Sequence, residues 1–384
     1  LGSVYRAQGK FDEALAVWRD YLAKHPAHEQ WSDVQRHIVD TQYMKAVARV
    51  EEEEYDAANE LFAEFLADYP LDPRNPQILL LMNRKFQHEE RWDEAIGNWR
   101  RIVSKYPKTD QASTAQYRIA VTLETELGRL EEALEEYRKV TWGRAQSDAR
   151  QAVARLTTKG MRIATERVFR SDETPRLKLT TRNIENVTVR VYRVDLETYF
   201  RKMHLARGVE GLDIALIDPD ATFEFDVPEY REYQKLESDV EVPLPGEAKS
   251  GVVAVTVASE TLEATTMLVQ SDLDVIVKSS RDEVFVFAEN MLTGKPWPGA
   301  RLLISNGQKV FAEGETGEDG VFQAAYSKLP SPRPAAGGRG SLEAEDVRVF
   351  AVSEGHTASN VVNLSGVGAA QGLTDKGYIY TDRP

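Results

Sequence analysis

A small residue recurs at Ala14, Ala58, Ala95 and Ala133, in steps of 44, 37 and 38 residues. An aromatic follows each of them by one helical turn, at Trp18, Phe62, Trp99 and Tyr137. A period of this size marks stacked helix pairs, each of which can bury its apolar face only against its neighbours. The same frame returns around every alanine. It reads Leu1, Gly2, Tyr5, Gly9, Phe11, Tyr21 and Pro26 in the first copy, then Tyr55, Phe65 and Pro70 in the second. The third has Trp92, Ile102 and Pro107, and the fourth has Gly128, Leu130 and Val140. The alanine lets two helices approach, the aromatic fills the gap between repeats, and the proline ends the second helix because it cannot continue the ladder. The longer first step implies longer helices or a longer loop around residues 25–32. One further helix over 143–158 would cap the stack.

This spacing resembles that of tetratricopeptide repeats, entered after their opening turn. A chain whose first residue already stands inside a repeat is expected to be a piece of a longer protein. With 384 residues, two to four domains are expected.

After Gly160 the pattern changes from helical period to alternation. Leu177 and Leu179, then Val187, Val189 and Val191, stand with polar residues between them, which is the signal of half-buried strands. Further strands are expected at 251–258, 263–269, 274–279, 283–289, 300–305, 320–326 and 347–353, separated by turn signals such as Asn306-Gly307. Short strands at this spacing predict antiparallel β-sandwiches. The fold class is therefore multidomain: an α-solenoid over 1–158, then a β-sandwich over 159–270 with an insertion at about 196–241, and a second sandwich over 271–366. Residues 367–384 would open another domain, with Tyr378 and Tyr380 starting a strand. The insertion begins with an amphipathic piece (Leu196, Tyr199, Phe200, Met203). Prolines and glycines over 330–341 predict a flexible loop.

The β part resembles bacterial alpha-2-macroglobulins. The carrying segments are residues 271–305 (SDLDVIVKSSRDEVFVFAENMLTGKPWPGARLLIS), the hairpin expected over 313–322, the terminal GYIYTDRP and the earlier TRNIENVTVRVYRVD. The resemblance covers roughly 165–384 and implies macroglobulin-like domains. It also implies a parent that traps proteases outside the bacterial cytoplasm, in the periplasm or cell envelope. In that family a protease cuts a bait region, the molecule rearranges, and in many members a cysteine–glutamine thioester captures the protease. Those features lie downstream of the domains matched here, so no family site residue can be carried over.

Composition narrows the chemistry. With no cysteine, disulfides, thiolate metal sites and a cysteine nucleophile are excluded within these residues. The net charge of −14 divides as −2 over residues 1–170 and −12 over the rest. Neither part has the basic surface that nucleic acid or an anionic membrane requires. No apolar run approaches the ~20 residues of a membrane span.

Individual motifs are weighed against plainer readings. His25 and His28 flank Pro26, but zinc needs three or four converging ligands and no third is evident. Gly314, Gly317 and Gly320 imitate a phosphate loop, yet lack the lysine and following helix, and read as a hairpin turn. Glu315, Glu318 and Asp319 fall short of a calcium loop. Glu51–Glu54 reads as a solvated helix end. Over 223–241, Phe223, Phe225, Tyr230 and Tyr233 alternate with acids; half of them are expected to pack on the sandwich and the rest to be open to a neighbouring domain. No catalytic, cofactor-binding or metal-binding residue is assigned, no cofactor is expected, and the residues of a partner site are not identifiable. Two functions remain: the scaffold and interaction region of a protease trap, or an adaptor whose repeat groove binds a peptide or protein, with the sandwiches as spacers.

Overall fold

Each repeat folds as a helix pair joined through a residue in the left-handed region. The computed structural model describes residues 1–204, 218–279, 283–325, 347–360, 367–369 and 371–372. The loop expected at 330–341 and the strand expected at Tyr378 and Tyr380 lie outside the described residues. The chain divides into two compact units, Leu1–Thr157 and Thr158–Pro384.

The first unit is helical: α1 (Gly2–Ala7), α2 (Phe11–Lys24), α3 (Trp31–Glu51), α4 (Tyr55–Asp68), α5 (Asn75–Met82), α6 (Arg84–His88), α7 (Trp92–Lys105), α8 (Asp110–Thr125), α9 (Leu130–Lys139) and α10 (Gln146–Thr157). The four alanines of the repeat frame are all fully buried, and Trp18, Phe62, Trp99 and Tyr137 are buried beside them. Two residues before α2, α4, α7 and α9 stand Gly9, Glu53, Glu90 and Gly128, with φ of 74°, 60°, 54° and 63°. Each second helix therefore starts from the same turn. Each of the first three ends the same way: His25, Tyr69 and Tyr106 leave helical geometry immediately before Pro26, Pro70 and Pro107, where a following proline disfavours the α region. The long first step is accounted for by α3, which runs for 21 residues. Where α1 crosses α2, a side chain on Gly2 would stand 2.5 Å from the Trp18 indole, so this approach requires glycine. The third pair uses another device. Asn83 interrupts its first helix between α5 and α6, is fully buried, and donates from Nδ2 to the Ala95 carbonyl at 3.1 Å.

The second unit holds two β-sandwiches. The first is built from β1 (Gly160–Ala164), β2 (Arg176–Arg182), β3 (Asn186–Arg193), β4 (Ala221–Asp226), β5 (Lys235–Glu241), β6 (Gly251–Ala258) and β7 (Leu262–Gln270). The second uses β8 (Leu273–Ser279), β9 (Glu283–Asn290), β10 (Lys295–Pro296), β11 (Arg301–Ser305), β12 (Val310–Glu315), β13 (Val321–Ala325), β14 (Arg348–Ser353) and β15 (His356–Ser359). The short β16 (Val367–Ala369) and β17 (Gln371–Gly372) follow. One sheet of the first sandwich has the order β16-β1-β2-β5 and its facing sheet β17-β7-β6-β3-β4. Val187, Val189 and Val191 of β3 all point into the core between them. Fully burying such a side chain is worth about 1.5–3 kcal/mol, and a one-residue slip would expose all three, so the register is fixed. The second sandwich faces β10-β9-β13, with β8 also on β9, against β12-β11-β14-β15. Val284, Val286, Leu302, Ile304 and Val349 fill its core.

The structure departs from the sequence reading in three places. First, β4 and β5 lie inside the stretch expected to be an insertion. They are sheet strands, paired with β3 and β2, because Phe223 and Phe225 alternate onto the core. Second, β16 and β17, in the stretch expected to open another domain, pair with β1 and β7 of the first sandwich. Third, 313–322 is not a hairpin: β12 pairs with β11 and β13 with β9, in opposite sheets. Gly314 makes that corner possible, since a Cβ there would meet the Phe322 ring at 2.1 Å. Gly320 turns the chain at φ 72°, with the Ala288 carbonyl 2.5 Å from where a Cβ would stand.

Candidate functional site

The open face of the helical unit and the polar seam of the β unit are the two places where chemistry-bearing side chains gather. In the helical unit an open groove of about 440 Å³ is lined by Gln35, Val39, Tyr69, Leu71 and Arg74, among others. Leu71 is 95% exposed at its rim. Arg74 is held from every side. Its guanidinium donates to Asp72 at 2.9 and 2.8 Å and to Asp40 at 2.9 Å, and it stacks over the Tyr43 and Phe65 rings. The hydrogen bonds from Arg74 hold the Asp72 carboxyl below the usual carboxylate range, and the same bonds raise Arg74. The single guanidinium is fully engaged by two carboxylates and two rings, so it serves the fold rather than a ligand.

A second face lies on α8, which packs on α7 on one side and α9 on the other. Its remaining stripe, Thr114, Arg118, Val121 and Thr125, is half-open or exposed. Residues three and four apart share a helix face, so these side chains form one row. Burial, and then the charges of Arg84 and Arg144, hold the Arg118 guanidinium below its ordinary range. Across the helix pair, Gln116 donates to Glu136 at 2.5 Å, and the Tyr137 hydroxyl donates to Glu124 at 2.8 Å. Burial first, then that hydrogen bond, pushes the Tyr137 hydroxyl well above the phenol range.

In the β unit, the chain passes from β7 to β8 through Ser271 and Asp272, both buried. The backbone of Phe169 donates to Val269 and accepts from Ser271, at 2.9 and 2.8 Å. Ser171 donates to Asp272 from its backbone N–H and from Oγ, and Arg170 donates to the Ser271 carbonyl. The Asp272 N–H donates to His356 Nδ1 at 2.9 Å, which requires that nitrogen to be unprotonated. A serine, an aspartate and a histidine thus meet where the sequence showed no such arrangement. They are not a nucleophile relay. The serine proton goes to the carboxylate, and the imidazole accepts from a backbone amide rather than from Ser171 Oγ. The seam ties the two sandwiches together. The amphipathic helix α11 (Leu196–Met203) reinforces it. Leu196 and Phe200 are buried among residues of both sandwiches, with Phe200 stacked on Phe350 at 5.3 Å. Arg201 grips Glu313 through two hydrogen bonds, and Arg301 grips Glu197.

The other singled-out residues are placed as follows. His25 and His28 both lie against Tyr21, their rings 6.4 Å apart, and His28 Nδ1 is bonded to the Tyr21 hydroxyl. Among the described residues no group of three or more His, Asp or Glu side chains is placed to hold a metal ion. Glu52 and Glu54 both pair with Arg49, while Glu53 occupies the left-handed turn. Phe223 and Phe225 pack on the sandwich core. Arg84, Arg118 and Arg144 were not singled out by the sequence, because 34 and 26 residues separate them and no local motif marks them.

The fold defines a class: a helical-repeat solenoid followed by antiparallel β-sandwiches. Residues 1–32 and 87–150 match the tetratricopeptide repeat family model. Among solved structures, the chain is similar to native alpha-2-macroglobulin from Escherichia coli spanning domains NIE-MG1, at 14% identity and a TM-score of 0.37 over 53% of this chain and 97% of that one. It is similar to the same protein spanning MG0-NIE-MG1, at 16% identity and a TM-score of 0.37 over 53% of this chain and 64% of that one. It is also similar to MamA from AMB-1, at 22% identity and a TM-score of 0.25 over 36% of this chain and 67% of that one. The match to Salmonella alpha-2-macroglobulin spans 12% of that longer chain. No curated protein sequence matches. Both resemblances read from the sequence recur among these similar proteins.

Proposed function

We propose that the chain is the non-catalytic scaffold and interaction region of a bacterial alpha-2-macroglobulin-like protease trap, working outside the cytoplasm. The β-sandwiches would be structural members of the larger body, and the helical unit would dock a protein partner. The observation that carries this reading is the conjunction of a repeat solenoid with paired sandwiches in one chain. Residues 271–305, which resemble the macroglobulin family most densely, lie in the second sandwich, where their alternate residues Val284, Val286, Leu302 and Ile304 fill the core. In the family the bait and thioester lie downstream, so this chain by itself should be inert toward proteases.

The test is residual trypsin activity on a large protein substrate after incubation with this chain. Activity is expected to be unchanged, even if trypsin cuts at Arg333 or Arg339. Stoichiometric loss tied to such a cut would mean that the trap is complete within these residues. The longer protein that this reading requires should block the large substrate while sparing a small chromogenic peptide. If it spares both, the trap reading falls. The adaptor reading would then stand, supported by the repeat match and by the open face of α8.

A further inference from the structure

Among the described residues, one outer face of the second sandwich is covered and the other is open. Leu303 and Phe350, on the outer side of the β12-β11-β14-β15 sheet, are buried among α11 and strands of the first sandwich. The opposite face belongs to β8, β9 and β13. Val275, Val277, Val284 and Val286 turn into the core, so the residues between them stand outward. The register sets Ile276, Phe287 and Val321 in one row across the three strands, with Lys278, Phe285 and Gln323 in the next. Five large apolar side chains are exposed among the described residues of the β unit. Met203 lies on α11; Ile276, Phe285, Met291 and Leu292 lie on β8, β9 and the turn after β9.

The charges around this apolar row point to what covers it. Asp274 and Glu289 stand directly opposite each other, two residues to one side of the row. Like charges so placed destabilise a sheet. Lys278 stands two residues to the other side of the row. Among the described residues none of these three side chains makes an ion pair. Four residue steps, about 13 Å of strand, hold Lys278 away from Asp274, with Ile276 midway. The face is therefore complementary to itself. A two-fold axis laid along the Ile276–Phe287–Val321 row would bring Lys278 of each copy onto the partner's Asp274 and Glu289, the reciprocal contact of an isologous interface.

We propose that the open face of β8, β9 and β13 joins two copies of this chain, Ile276 meeting the partner's Ile276 on the axis and Lys278 lying between two carboxylates of the partner. A basic segment of another protein would neutralise the acids but leave Lys278 facing like charge, whereas a second copy satisfies both signs. Glu283, farther from the axis, is already bonded by Gln323. The three-strand footprint is about 10–15 Å on a side. That is far below the ~800 Å² per partner of a stable dimer, so association is weak and reversible. This inference does not depend on the trap reading, which the trypsin assay tests separately.

Sedimentation equilibrium of the full chain, followed up to about 1 mM, is the test. A monomer–dimer equilibrium is expected, weakening as salt rises. Ile276→Ser should weaken it by about tenfold or more. Met203→Ser should leave it unchanged. Lys278→Glu and Asp274→Lys should each weaken self-association, because each sets like charges across the axis twice. Mixed one to one, these two variants should pair with each other, since both contacts across the axis then join opposite charges. A chain that stays monomeric at about 1 mM overturns the proposal and leaves the face to another occupant. A dimer indifferent to Ile276→Ser and Lys278→Glu places the interface elsewhere and overturns it as well. If the mixed variants fail to pair although each alone is weakened, the two-fold register is wrong and the proposal falls.

Discussion

Trp99 is fully buried between helices, and among the described residues its indole N–H has no hydrogen-bond partner. Truncating a buried aromatic removes its contacts and leaves a cavity, so Trp99→Ala should cost about 3–5 kcal/mol, read as a lowered urea midpoint of the helical transition. Trp99→Phe should cost far less, because it keeps the ring and removes a donor that is buried without a partner. The same scale explains what the sequence could and could not disclose. Ala14, Ala58, Ala95 and Ala133 announced the repeat because their size is what the helix crossing requires. The left-handed turns were announced at Gly9 and Gly128 but hidden at Glu53 and Glu90, where Glu53 passed as part of a charged run. A non-glycine residue in this region is strained by about 1–2 kcal/mol, part of which glycine would return in unfolded-state entropy. Glu90→Gly should therefore raise stability by up to about 1 kcal/mol, measured by the same midpoint.

At the scale of elements, alternation made β2, β3 and β9 legible, while β6 and β11 are continuous apolar runs buried on both faces. The element that joins the sandwiches was legible as an amphipathic helix but not as a strut. Its apolar side meets residues of β7, β11 and β14, a placement that only long-range packing decides. The α8 face was illegible for the same reason. The seam also contains a titratable element. Burial holds the His356 imidazole below its ordinary value of 6.5, overriding the upward pulls of Asp272 and Glu354, while Trp297 packs on its ring. Above 6.5 neither the folded nor the unfolded ring carries a proton, and the seam is at full strength. As pH falls through 6.5 the unfolded ring takes a proton that the folded ring resists, so stability declines until the folded value is passed. Protonation would also remove the acceptor for the Asp272 N–H. Urea midpoints of the β transition should fall on acidification below 6.5, and His356→Asn should flatten that slope. An equal slope in the variant would assign it to other groups.

For the whole molecule, the division at Thr157 predicts that a fragment of residues 1–157 folds alone, because a solenoid repeat contacts only its neighbours. A cut as late as Ser171 would be a poor choice. It would carry away β1 and Phe169, which belong to the sandwich core, and strand Ser171 from Asp272. Circular dichroism of the fragment should show a helical spectrum and a cooperative melt. An unfolded fragment beside a folded full chain would show that the helices depend on the sandwiches.

The return of β16 to β1 has a mechanical meaning. The chain leaves the first sandwich after Gln270, builds the whole second sandwich, and comes back at Val367 to lie antiparallel to β1, with Ala369 opposite Arg162 and Val367 opposite Ala164. Tension applied at Thr158 and at Ala369, the end of β16, would enter and leave through these two adjacent strands. The second sandwich would hang between them as a slack side branch, feeling none of the pull until they part. In an antiparallel pair the start of β1 lies beside the end of β16, so the strain falls on one hydrogen bond at a time and the pair opens like a zip. The first sandwich would yield at low force and pay out its neighbour as stored length.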